Sequence, residues 1–184
     1  AGVRVFGIDP GSARTGYGCV ETDGRHHRIV ICGAISSPAV ASFPDKLLRI
    51  HQGLVRLLAE CRPDSVAIEN LFYATNVRSA LKLGHARGVA MLAAVGAGLP
   101  VIEYTPAEIK RAVVGYGRAD KHQVQQMVKL MLDLPAVPSP HDAADALAVA
   151  ICHVQSLTSR RIAAAADPPR QRATSWRAYR PARP

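Results

Sequence analysis

The chain has 184 residues, a net charge of +9, and 48% hydrophobic against 20% charged residues, which describes one domain with a sizeable core and leaves no room for two large ones. The uncharged apolar stretch Gly88 to Ile102 is interrupted by Gly96, Gly98 and Pro100, so it falls short of the ~20 apolar residues of a membrane span and no membrane is expected among the partners. Cys19, Cys32, Cys61 and Cys152 are scattered without a CxxC pair, and no basic leader precedes an apolar run; a disulfide framework, a zinc knuckle and secretion are all disfavoured, and a cytoplasmic setting is expected.

In chain order, Val3 to Ile8 reads as a buried strand and Pro10, Gly11 and Ser12 as a turn. Thr15 to Glu21 and Arg28 to Ile35 follow as two strands joined near Asp23 and Gly24, which makes a three-strand meander. Leu47, Leu48, Ile50, Leu54, Val55, Leu57 and Leu58 recur at helical spacing until Arg62 and Pro63. Ser65 to Ile68 is a short strand, and an Ala- and Gly-rich helix spans about Asn76 to Val95. Pro100 to Tyr104 is the fifth strand; Thr105 and Pro106 form a helix start. Further helices cover about Lys121 to Leu132 and Pro140 to Gln155. This order predicts an α/β class fold, a five-stranded mixed sheet flanked by helices.

The charge is uneven. Thr158 to Pro184 holds seven arginines and one aspartate, a net +6. This Arg-, Ala- and Pro-rich tail has no sustained apolar period and reads as disordered, which sets the domain at 1–157 and the tail at 158–184. It is either an arm for DNA phosphates or a solubilising segment.

Four carboxylates stand in unexpected places. Asp9 closes the first strand and Glu69 the fourth, where sites form in α/β sheets. Asp9 before Pro-Gly is also an ordinary turn residue, but Glu is a poor residue for a strand or a turn. Asp142 and Asp145 share a face of a helix that is otherwise nearly all apolar. Asp142 can close a capping box behind Ser139 and Pro140. Asp145 has no such role, and a buried carboxylate needs a positive partner. Four converging acids would repel, and a hard divalent cation such as Mg²⁺ would relieve them.

The segments GIDPGSARTGYG (7–18), IENLFYATNVRSALKLGHARGVAM (68–91), VVGYGRADKHQVQQMV (113–128) and HDAADALAVAICH (141–153) resemble the RuvC family of Holliday junction resolvases. The likeness spans about residues 3–155 in order and stops before the Arg-rich tail. It implies an RNase H-like fold, a homodimer, and Mg²⁺-dependent paired cutting of four-way junction DNA during recombination and repair. It implies two Mg²⁺ ions per site, with Mn²⁺ as a substitute, held by Asp9, Glu69, Asp142 and Asp145. It places Phe72 as a base-stacking residue and Lys110 and Lys121 at phosphates. Arg78, Lys82 and Arg87 along the second helix are further phosphate candidates or simply a solvated face. His141 is either a proton carrier or an exposed residue at a helix start. Family membership also makes contact with a branch-migration motor complex of the RuvA and RuvB type an expected partnership.

Three other readings fit part of the pattern. The Asp9-to-Gly16 turn is similar to a phosphate hairpin of actin-like ATPases, but those need a second lobe. A different RNase H-like nuclease and a non-catalytic DNA-binding module are the other two.

Overall fold

A computed structural model describes residues 2–70 and 76–166. Phe72 and the tail from residue 167 onward lie outside the described residues.

The central strand, β1 (Val3–Asp9), is apolar on both sides. Val5 enters one core while Phe6 and Ile8 enter the other, the alternation of a strand covered on both faces. Antiparallel to it run β2 (Arg14–Thr22) and then β3 (His27–Ser36), the expected meander. On the opposite side β4 (Ser65–Glu69) and β5 (Val101–Tyr104) pair in parallel, giving the order β3-β2-β1-β4-β5. The five-stranded mixed sheet is therefore present as expected.

Helices α1 (Phe43–Cys61) and α2 (Val77–Gly96) cover the Phe6 and Ile8 face. The other face carries α3 (Pro106–Val114), α4 (Lys121–Met131) and α5 (His141–Ala166). Local chemistry sets their starts. The Ser42 hydroxyl accepts from the Asp45 amide at α1, and Thr105 with Glu108 forms a capping box at α3. Asp120 with Gln123 does the same at α4, which makes Lys121 the first residue of that helix.

Helix α5 positions the site. Ala143, Ala144, Ala146, Leu147, Ala148, Val149, Ala150 and Ile151 are all buried. The helix lies directly on the backbone of β1 and β2, because the strands present glycines there. A methyl at Gly7 would overlap the Ala146 carbonyl and come within 2.7 Å of the Ala150 nitrogen; one at Gly16 would overlap the Asp142 carbonyl.

Two details differ from the sequence reading. The last helix begins at His141, not Pro140, and the Asp142 carboxylate turns to Arg14 rather than serving a capping box. The helix also continues to Ala166, across the boundary expected at residue 157. Apolar packing explains part of this extension: Leu157 still touches the core, and the Thr158 hydroxyl donates back to the Val154 carbonyl at 3.1 Å. Among the described residues, no helix is long and apolar enough to cross a membrane.

Candidate active site

Strand register brings the first two carboxylates together. Ile8 pairs with Ile68 across the parallel β1 and β4. Asp9 and Glu69 follow at the same sheet end, where both chains run out of the core. Helix α5 arrives over the same end, since Gly16, the β2 partner of Asp9, is the residue that touches Asp142. The result is a cavity of about 300 Å³ lined by Asp9, Glu69, Asp145, Lys110 and Lys121, with Ile109, Val124 and Val149 among its apolar walls.

The electrostatics are those of crowded acids. Burial pushes the Asp9 carboxyl up to about 8, and Glu69, Asp145 and Asp142 add to the rise. Glu69 is also raised, chiefly by burial, while a hydrogen bond with Asp9 pulls it back. Lys121 Nζ lies 2.6 Å from Asp145 Oδ2, and that contact raises the lysine. Its unfavourable place at a helix start is thus explained by the carboxylate in front of it. Asp142 sits at the rim, 3.3 Å from Arg14 Nη1.

These groups suit a hard divalent cation. Among the described residues no three carboxylate, imidazole or thiol groups close into a cage. An open set of this kind fits Mg²⁺, which takes one or two carboxylates and completes its shell with water and substrate phosphate. The raised Asp9 carboxyl is the physical sign: burial first, and then the charges of Glu69, Asp145 and Asp142, disfavour its ionised form, and a bound cation would reverse that balance.

A consequence is measurable without DNA. The Asp9 carboxyl ionises at about 8 in the folded chain against a reference of 3.8, so the folded state holds an extra proton between those values. Stability in EDTA should therefore fall as pH rises through that window. Added Mg²⁺ should raise the melting temperature, and more at about pH 8 than at about pH 6, because at the lower pH the ion must displace the Asp9 proton in nearly every molecule and at the higher pH in only about half. Calorimetry showing a pH-independent melting temperature with no Mg²⁺ response would contradict this account.

The remaining sequence candidates are placed less centrally. Lys82 Nζ lies 5.8 Å from the centre of the Phe43 ring, and Arg78 is exposed in the first turn of α2; neither lines the cavity. Arg87 is held by Glu103 at 2.5 Å rather than offered to solvent. His141 is exposed at the start of α5. Sequence reasoning missed Arg14. Its signal was weak, an arginine inside the glycine-rich turn after Asp9, and its partner Asp142 is 128 positions away.

The comparisons with known proteins agree with the fold. The family model for the crossover junction endodeoxyribonuclease RuvC matches residues 5–153. The crossover junction endodeoxyribonuclease RuvC of Trichlorobacter lovleyi is 53% identical over 179 residues, covering 97% of this chain and 100% of that protein. That match runs into the Arg-rich tail, beyond where the motif resemblance ended. The structure of Thermus thermophilus RuvC in complex with Holliday junction substrate superposes with a TM-score of 0.82 at 34% identity, over 86% of this chain and 96% of that one. The yeast mitochondrial Holliday junction resolvase shares the fold, with a TM-score of 0.62 at 16% identity over 86% of this chain and 81% of that one. With the family model spanning most of its length and a relative more than half identical end to end, this chain belongs to the RuvC family of crossover junction endodeoxyribonucleases.

Proposed function

We propose that the chain resolves four-way DNA junctions by hydrolysing two phosphodiesters at symmetric positions, with Asp9, Glu69, Asp142 and Asp145 as the catalytic acids. The observation that carries this reading is the single cavity lined by Asp9, Glu69, Asp145, Lys110 and Lys121 at one sheet end. Mg²⁺, two ions per site with Mn²⁺ as a substitute, would supply Lewis-acid activation of water and of the leaving oxygen. Asp9 and Glu69 would hold the metal from the strand ends, and Asp142 and Asp145 would complete the donor set from α5.

The lysines would handle the substrate. Lys110 and Lys121 offer ammonium groups for non-bridging phosphate oxygens. An arriving phosphate competes for Lys121, which leaves Asp145 free to accept a proton or a cation. In-line attack of water forms the new P–O bond as the P–O3′ bond breaks, leaving 5′-phosphate and 3′-hydroxyl ends that a ligase can join. Phe72 is assigned to stack on an unpaired base, Arg78 and Lys82 to outer phosphates, and the Arg-rich tail to an auxiliary DNA contact.

Two cuts need two sites, and a two-fold dimer supplies them in the matching orientation. Helix α2 supports this. It buries Ala86, Ala90, Ala93 and Ala94 against the sheet and leaves Leu81, Leu92 and Val95 at least 60% exposed. Gly84 and Gly88 lie on that outer face with nothing within 4 Å. Mid-helix glycines cost roughly 1 kcal/mol each against alanine, which close approach of a second α2 would offset. A cytoplasmic enzyme working beside a branch-migration motor of the RuvA and RuvB type fits this role.

The test offers the purified chain a four-way junction, a linear duplex and an RNA–DNA hybrid, each with Mg²⁺ or EDTA. Paired Mg²⁺-dependent nicks on strands of like polarity in the junction alone are expected. Cutting of the hybrid, or unpaired nicks, would move the reading to a different nuclease or a monomer.

A further inference from the structure

The cleft between α1 and the β2–β3 edge plays no part in the chemistry above. It is a cavity of about 380 Å³ whose polar lining comes from Tyr17, Ser36, Arg49, Gln52 and Arg56, with no carboxylate among its lining residues. Arg49, Gln52 and Arg56 are spaced i, i+3 and i+7 on α1 and so share one face. Arg56 is 74% exposed, and its acid partner Glu60 is 3.9 Å away on the solvent side, a contact worth little. Arg49 is exposed and enters no ion pair among the described residues. Beneath them α1 is seated tightly on β3: a methyl at Gly53 would lie 2.8 Å from Ile35 Cδ1. The arginines are therefore carried on a fixed wall.

The cleft opens at the same sheet end as the carboxylates. Asp9 pairs with Gly16, Gly16 with Ala34, and Arg14 with Ser36. The β3 rim is two strand spacings from Asp9, about 10 Å, and the cleft lies on the α1 face of the sheet, opposite α5. Arg14 stands between the two places, 51% exposed.

We propose that this cleft is a second phosphate-binding site, which takes the sugar-phosphate backbone of a DNA arm leaving the carboxylate centre across the β3 edge. Guanidinium groups match phosphate oxygens in a bidentate fork, and the Tyr17, Ser36 and Gln52 side chains add neutral donors. Seven residues of α1 separate the arginines by about 10 Å, which corresponds to roughly three phosphates of one strand. The proposal rests on the nuclease reading and extends it to the outer part of an arm. Its function is to fix how the arm is aimed at the carboxylates.

The test measures junction affinity against salt concentration in EDTA for the wild type, for Arg49→Gln with Arg56→Gln, and for Gln52→Glu. The double variant should bind about tenfold more weakly at roughly 0.1 M salt, and its log–log salt slope should be shallower by about 2, since each lost phosphate contact removes about 0.9. Gln52→Glu places a carboxylate between two intact arginines and should also weaken binding. All three side chains are exposed, so melting temperatures should match the wild type; should the double variant melt early, Gln52→Glu decides. Wild-type affinity and slope in the variants would overturn the site. A wild type that cuts the junction with paired nicks, alongside unaffected variants, would overturn this site and leave the nuclease reading standing; a wild type that neither binds nor cuts would remove both.

Discussion

Asp145→Asn should lower the nicking rate of a four-way junction roughly a thousandfold while leaving junction binding in EDTA equal to or tighter than wild type. The substitution keeps the shape of a side chain that lines the cavity and removes its charge. Asp145 holds Lys121 at 2.6 Å, so the variant also frees an ammonium group for phosphate, and attraction to DNA rises. A purely structural account makes a different forecast. If Asp145 only neutralised Lys121, then adding Lys121→Met to the same chain would remove the unpaired charge and restore cutting to the level of Lys121→Met alone. The catalytic account expects the double variant to remain inactive, as measured by single-turnover nicking in Mg²⁺. Recovery of cutting would reduce Asp145 to a counter-ion.

Gly16→Ala should destabilise the chain by about 3 kcal/mol, a fall of about 10 °C in melting temperature, and should abolish most nicking in the fraction that folds. The added methyl would overlap the Asp142 carbonyl and lie 2.6 Å from its carbon. Both obstacles are backbone atoms of a helix packed along the sheet, so no rotamer change relieves them. The helix must lift at the turn that carries Asp142 and, one turn on, Asp145. Gly84→Ala provides the contrast, since nothing lies within 4 Å of a methyl there in the single chain. Thermal melts of the two variants at one protein concentration separate local overpacking from the general effect of replacing a glycine. Equal melting temperatures for Gly16→Ala and wild type would show that α5 is seated more loosely than described.

Most of the architecture was legible because each element carried its own signal. The apolar run of Val3 to Ile8 marked β1, the leucines of 47–58 marked α1, and Thr105 with Pro106 marked the start of α3. Asp145 was legible as an anomaly, a charge on a helix with no polar face to hold it. Its partner Lys121 was legible as the reverse, a cation at the wrong end of a helix. Asp142 misled because a local capping pattern competed with a tertiary contact, and the contact to Arg14 prevailed. That pairing depends on β2 meeting α5, and no local rule reports such a meeting. The α5 extension escaped for a related reason: Ser156 to Arg161 lack an apolar run, yet packing of Leu157 holds the turn. The clustering of Asp9 with Glu69 followed from two strands ending together, which only the parallel register fixes.

The placement of α5 has a consequence for the protein's synthesis. The centre joins the first strand to the last helix, and Arg14 finds Asp142 across 128 positions. During translation Asp9 leaves the ribosome early and waits for nearly the whole chain before its partners exist. A nascent or truncated product lacking α5 would expose the glycine track of β1 and β2 and contain only half of the acids. With Asp142 and Asp145 catalytic as proposed, such a chain should not cut DNA. On that reading nuclease competence should appear late, only once α5 has capped the sheet and brought Asp142 and Asp145 to Asp9 and Glu69.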